Sequence, residues 1–211
     1  MTDGIRTQRI DEFLDGLGSH SPTPGGGAAA GVAGASGAAL ISMVANLTID
    51  KEGYEAAWNR MREIVPVVAA GRAELLDLAD RDAAAFEAVM SAFRMPKGTD
   101  DEKAARRDAI QLGFEGAASV PLQVAERAAE MIDLGREAIE IGNEHAASDG
   151  LSAAYLLYAA VECAVANVLI NAAALKDESR KAELVAAVQR IRETARSDVD
   201  GAARAFAVRV R

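Results

Sequence analysis

One cysteine, Cys163, stands in a chain of 211 residues, so no internal disulfide can form and a reducing compartment follows. Only two histidines accompany it, which leaves the usual zinc ligand sets unfilled, and no metal is expected. Five Phe, three Tyr and one Trp make up 4% of the chain, too few for the aromatic, β-branched strands of a sandwich or barrel. Basic side chains number 23 against 32 acidic ones, the net charge is −9, and no Lys/Arg run occurs. Nucleic acid is excluded as a partner, because its binding depends on clustered cations that displace counterions. The N-terminus lacks the basic start and compact apolar stretch of a secretory signal, so the expected location is cytoplasmic. Charge is also missing from two long segments: none between Gly25 and Leu47, and only Glu162 between Gly150 and Leu175. Both have transmembrane length. The first is mostly Gly and Ala, and neither has dense Leu/Ile/Phe or flanking Lys/Arg asymmetry, so both are read as helices buried in a bundle, with no membrane.

What is abundant is alanine, at 47 positions, with Leu, Glu, Arg and Met beside it and only five widely spaced prolines. These are strong helix formers. The fold class is all-α: one domain over residues 1–211, a bundle of about six helices, two long and bent at proline, two nearly uncharged and buried. Ile5, Ile10, Phe13, Leu14 and Leu17 predict a short amphipathic helix ending near Gly16 or Gly18. In Ser21-Pro22-Thr23-Pro24-Gly25-Gly26-Gly27, Thr23 is the expected N-cap and Pro24 the first helical residue of a Gly/Ala helix reaching about Thr48. Gly27, Gly31, Gly34 and Ala38 form on it a smooth ridge that lets another backbone approach. Long helices are predicted over about 54–93, bent or interrupted near Pro66, and about 101–141, carrying Pro121. A turn at 142–150 precedes the second uncharged helix, with Ser148 or Asp149 as its N-cap, and a last amphipathic helix covers about 178–208.

Few polar residues fall where chemistry needs them. The Gly25-Gly26-Gly27 start leaves backbone N–H groups uncovered, a geometry suited to an anion or developing oxyanion; it equally describes a capped, closely packed helix without the phosphate-loop lysine pattern. Asp82 lies on the stripe of Met61, Val65, Val68, Leu75, Ala79, Phe86, Met90 and Phe93. Burial there raises a carboxyl's pKa and poises it for proton transfer, or the residue accepts bonds from a neighbouring helix end. Asn167 and Asn171, four apart, are either glue between helices or readers of a ligand. Lys51, the only lysine before Lys97, either pairs with an anionic ligand or sits in solvent. His145, Ser148 and Asp149 crowd one turn too tightly for a nucleophile–base–orienter triad.

The runs Ser21-Pro22-Thr23-Pro24-Gly25-Gly26-Gly27-Ala28-Ala29-Ala30, Met43-Val44-Ala45-Asn46-Leu47-Thr48, Asp82 with Ala85-Phe86, Val120-Pro121-Leu122, Gly142-Asn143, Ser148-Asp149 and Asn167-Val168-Leu169-Ile170-Asn171 occur in that order. Together they resemble the formiminotransferase-cyclodeaminase C-terminal family over about residues 10–177. The resemblance implies an all-helical homodimer working on tetrahydrofolate derivatives as substrates, with no permanently bound cofactor. It implies either closure of 5-formiminotetrahydrofolate to 5,10-methenyltetrahydrofolate with loss of ammonia, or hydrolysis of the methenyl bridge to 10-formyltetrahydrofolate. The chain is expected to be the cyclodeaminase-like unit alone, with a separate formiminotransferase as partner. Asp82 and Asp149 are the implied catalytic carboxylates. Ser21, Thr23, Gly25, Gly26, Gly27, Lys51, Asn143, Ser148, Asn167 and Asn171 are the implied substrate-binding residues. Between Leu47 and Tyr54 this chain keeps one lysine where the family commonly has two or three. A reading from another class is a non-catalytic helical dimer that stabilises or regulates a partner enzyme.

Overall fold

The computed structural model describes residues 4–211. A 3₁₀ turn at Ile5–Thr7 leads into α1 (Ile10–Leu17), α2 (Gly26–Asn46), α3 (Glu55–Arg94), α4 (Asp100–Ile141), a second 3₁₀ turn at Glu144–Ala146, α5 (Ala147–Ala172) and α6 (Glu178–Arg209), and no strand occurs among the described residues. α4 lies at the centre, touching α2, α3, α5 and α6, while α2 packs between α3 and α5. The shared core is small-residue rich: fully buried alanines alternate with Ile41, Met61, Leu75, Leu78, Ile132, Leu157 and Leu184. Small side chains keep the helix axes close, so dispersion contacts replace the bulky aromatic filling that the sequence lacks.

The predicted ridge is where α2 meets α3. A Cβ on Gly31 would lie 2.7 Å from the Leu75 carbonyl oxygen and 2.9 Å from Ala79 Cβ, so only glycine allows this approach. Gly37, not assigned to the ridge from sequence, does the same against α5, where a Cβ would meet Leu157 Cγ at 2.8 Å.

α3 and α4 continue through Pro66 and Pro121 without interruption, since a proline removes one ladder donor and flanking turns sustain the helix. Two local expectations are corrected. Of the predicted stripe on α3, Met61, Val68, Leu75 and Ala79 are buried but Phe93 is 43% exposed, because the far ends of α3 and α4 extend beyond α2 and α5 as a two-helix arm. On α1 only Phe13 is buried, packing with Ala28 and Ala79, while Ile10 and Leu14 face outward.

Helices α2 and 144–172 are each long and apolar enough to cross a membrane. Within the bundle only 56% and 44% of their apolar windows are buried, which leaves an uncharged outer face running along both.

Candidate functional site

Asp82 reaches from α3 to the start of α2, where Oδ2 accepts the Ala28 N–H at 3.1 Å. Ala28 is the third residue of α2, and its N–H is one that an N-cap side chain ordinarily takes. The bond is supplied instead by a residue 54 positions away, and the true N-cap, Gly25, has no side chain to offer. Thr23 and Pro24 therefore lie outside the helix, contrary to the expectation that they cap and begin it. Gly27 permits the contact: a Cβ there would fall 2.1 Å from Asp82 Oδ1. Burial, the stronger influence, pushes the Asp82 carboxyl above the usual carboxylate range, and the Ala28 N–H bond pulls against it.

Asn167 stands beside the same helix start, its Nδ2 3.2 Å from where a Cβ on Gly26 would be. Its Nδ2 donates to the Cys163 carbonyl at 2.8 Å. Asn171 Nδ2 donates to the Asn167 and Ala117 carbonyls, tying α5 to α4, so this residue is glue between helices. Ser21 Oγ donates to the Thr23 carbonyl at 2.7 Å and organises the preceding loop. The N–H groups of Gly26 and Gly27 have no hydrogen-bond partner among the described residues. A cavity of about 610 Å³ lined by Ile5, Thr23, Pro24, Asp80 and Ala83 lies on the side of the loop that precedes this helix, and none of Gly26, Gly27, Asp82 and Asn167 lines it. One end of α2 thus gathers a carboxyl of raised proton affinity, an amide and two free donors aimed along a positive helix terminus.

The other predicted residues gather at the opposite end of α2. Thr48 Oγ1 accepts the Asn143 N–H at 2.8 Å and donates to the Val44 carbonyl, and both residues are buried. Asn143 spends its side chain on backbone, donating to the Leu47 carbonyl and accepting the His145 N–H. It pins the 142–150 turn to α2. Because Asn143 caps the 3₁₀ turn, α5 begins early with Ala146 as its N-cap, so Ser148 and Asp149 sit inside the first turn and cap nothing. Lys51 is half-buried, its Nζ 5.9 Å from the Tyr54 ring centroid and without an ion-pair partner among the described residues. With 21 residues rising about 1.5 Å each, α2 holds this group roughly 30 Å from Asp82. The predicted site residues thus form two clusters in one copy: Ser21, Thr23, Gly25, Gly26, Gly27, Asp82, Asn167 and Asn171 at one end, and Lys51, Asn143, Ser148 and Asp149 at the other.

Sequence reasoning placed Thr48 in the Met43–Thr48 run but not among the site residues, although it is a hydroxyl closing an apolar helix. It overlooked the groove of about 360 Å³ between α4 and α6, lined by Glu126, Glu130, Asp133 and Asp198. Burial, then the Asp133 charge, raise the Asp198 carboxyl. An anionic ligand is repelled there.

Comparison with known proteins places the chain in a family. Residues 9–190 match the family described as formiminotransferase-cyclodeaminase. A methenyltetrahydrofolate cyclohydrolase of Methylorubrum extorquens is 41% identical over 204 residues, covering 92% of this chain and 98% of that protein. A formimidoyltransferase-cyclodeaminase of Sus scrofa is 38% identical over 172 residues, covering 82% of this chain and 32% of that longer protein. The crystal structure of formiminotetrahydrofolate cyclodeaminase from Thermotoga maritima superposes with a TM-score of 0.87 at 32% identity, covering 98% of this chain and all of that one. With the motifs, the helical order and near full-length relatives in agreement, the chain belongs to the formiminotransferase-cyclodeaminase family.

Proposed function

We propose that the protein is a folate one-carbon enzyme that moves protons at the bridge between N5 and N10 of tetrahydrofolate, as a homodimer in the cytoplasm. The observation that carries this reading is the Asp82 carboxyl, its proton affinity raised by burial beside two unpartnered N–H groups and Asn167. In the leading reaction N10 attacks the amidine carbon of 5-formiminotetrahydrofolate and the C–N bond to the former imino nitrogen breaks. That nitrogen, =NH in the substrate, leaves as NH3 after gaining two protons, one from N10 and one drawn from solution, and the bridge remains as the methenyl cation. Asp82, whose proton affinity burial raises, gives a proton to the departing nitrogen in its acid form and takes the N10 proton in its carboxylate form. Asn167 orients the reacting nitrogens. A separate formiminotransferase supplies the substrate in this reading.

A second reading, hydrolysis of the methenyl bridge to 10-formyltetrahydrofolate, is favoured by the 41% identity to the Methylorubrum cyclohydrolase. There Asp82 accepts one proton from the attacking water and returns it to N5 as the N5–C bond breaks, while the second water proton passes to solution as the formyl C=O forms.

The test follows methenyl absorbance with each substrate. Appearance from 5-formiminotetrahydrofolate supports cyclodeaminase, accelerated loss of the methenyl compound supports cyclohydrolase, and neither leaves the non-catalytic dimer standing. Asp82→Asn should lower turnover by roughly 100-fold or more with the fold retained. Near-normal turnover in that variant would remove Asp82 from the chemistry.

A further inference from the structure

Phe13 is the one buried residue of α1, and it stands apart from the main core. It packs in a separate cluster with Ala28 of α2 and Ala79 of α3, bordered by Ile5, Leu17 and Val32. Both partners flank Asp82. Ala28 supplies the N–H that Asp82 accepts, and Ala79 precedes Asp82 by one turn of the same helix. The segment before α1 grips that helix too: Ile5 N–H donates to Asp80 Oδ1 at 2.5 Å, and Arg6 Nη2 donates to the Ala73 carbonyl at 2.8 Å. At its other end α1 meets the loop leading into α2, where a Cβ on Gly16 would lie 3.3 Å from Pro24 Cδ. The N-terminal segment thus braces both helices whose approach brings Asp82 to Ala28, and the Phe13 ring packs on a methyl group from each.

We propose that Phe13 is a positioning residue for the reaction: its ring, seated on Ala28 and Ala79, holds the start of α2 against Asp82 and shuts water out of that contact. The inference rests on the reading of Asp82 as the proton-transfer group. With the ring removed, methyl groups alone leave the Ala28 side of the carboxyl open, and a hydrated carboxyl behaves as a surface one. Placement matters equally, since a shift of about 1 Å at reacting groups costs roughly 100-fold in rate. The charged and titratable groups around the contact offer no substitute. α2 carries none from Gly25 to Leu47, while α5 brings the exposed Cys163 and Glu162, which pairs with Arg192. On α3, Asp80 accepts from Ile5 and Arg81 turns to Gln123 of α4. Arg6, Arg9, Asp11, Glu12, Asp15 and His20 of the N-terminal segment are all exposed. Burial is therefore the means by which Phe13 acts on the Asp82 carboxyl.

Two readouts on the whole protein test it. Nuclear magnetic resonance of protein isotope-labelled at the aspartate carboxyls follows the titration of Asp82, assigned by its absence from the Asp82→Asn spectrum. Steady-state kinetics with the folate that is turned over give kcat and KM. In Phe13→Ala the Asp82 midpoint should move down toward that of an exposed aspartate, and the limb of the pH–turnover profile that Asp82 sets should move with it. Its kcat should fall roughly 10- to 100-fold, with KM changed less than about threefold. Phe13→Leu keeps most of the apolar volume and should restore most of both. Leu184→Ala opens a void in the main core on α6 and should leave the midpoint unmoved. An Asp82 midpoint unchanged in Phe13→Ala, one moved equally by Leu184→Ala, or an effect confined to KM overturns the proposal. Should Phe13→Ala not fold, Phe13→Leu decides, with a smaller downward shift expected and none overturning it. A wild type that turns over neither folate defeats the functional reading, and the titration, which needs no substrate, still decides whether Phe13 holds the contact.

Discussion

Gly31→Ala isolates the contact on which the site geometry depends. An added methyl at this position would lie 2.7 Å from a backbone carbonyl of α3 and 2.9 Å from Ala79 Cβ, closer than methyls approach such atoms, so α2 and α3 must part by several tenths of an ångström. Overpacking of this kind costs about 1–3 kcal/mol. Alanine also raises helix propensity by about 1 kcal/mol over glycine, which offsets part of the loss. Gly116→Ala in α4 gives the propensity gain alone, since a Cβ there meets nothing within 4 Å. For a chain of this size 1 kcal/mol moves the midpoint by about 2–4 °C, so Gly116→Ala should melt roughly 1–4 °C above wild type and Gly31→Ala about 2–12 °C below Gly116→Ala. Thermal unfolding followed by far-UV circular dichroism, on both variants at one concentration, reads the difference. Because the same crossing presses Asp82 against Gly27, Gly31→Ala should also lose turnover at temperatures where it stays folded. Equal rises in melting temperature for the two variants would refute the close approach.

Thr48→Val should cost about 1–3 kcal/mol in denaturant unfolding, because the buried Asn143 N–H loses its acceptor, and Thr48→Ser should restore most of it. Asp82, whose folded-state proton affinity is raised, favours the fold fully below the unfolded carboxyl pKa and loses that contribution as pH rises through the folded value. Asp82→Asn should accordingly gain stability relative to wild type as pH rises above the unfolded carboxyl value of about 4, and a difference that shrinks with rising pH would contradict the burial argument. With one lysine in the 49–54 turn, pentaglutamyl and monoglutamyl substrates should differ by at most about tenfold in apparent affinity. Lys51→Ala should erase the difference, and high salt should mask it; a hundredfold preference surviving Lys51→Ala would place the tail elsewhere.

Helix periodicity, the Gly/Ala ridge and the charge-free segments are local features of sequence, so the order and extent of the helices were legible to within a few residues. Caps were less so. Thr23 and Ser148 have the composition of N-caps, yet the donors they would serve are taken by Asp82 from another helix and pre-empted by the turn that Asn143 begins. Such long-range substitutions leave no local trace. The separation of the site residues was likewise hidden, because proximity in the list of motifs says nothing about which end of a helix each one reaches.

Asp82 shows why the structural and chemical readings of one residue need not compete. As a cap it must accept from Ala28 N–H, which favours the ionised form, and the positive end of α2 adds to that preference. Its placement among Gly27, Ala28 and the α2–α3 crossing works the other way, and burial outweighs the single bond. A surface cap would stay ionised throughout the neutral range and could hold no proton to give. A fully buried carboxyl with no donor would stay protonated and could accept none. Capping from a neighbouring helix, through a gap that only glycine leaves, sets the two influences against each other with burial the stronger, which moves the carboxyl in the direction that lets one group serve first as base and then as acid.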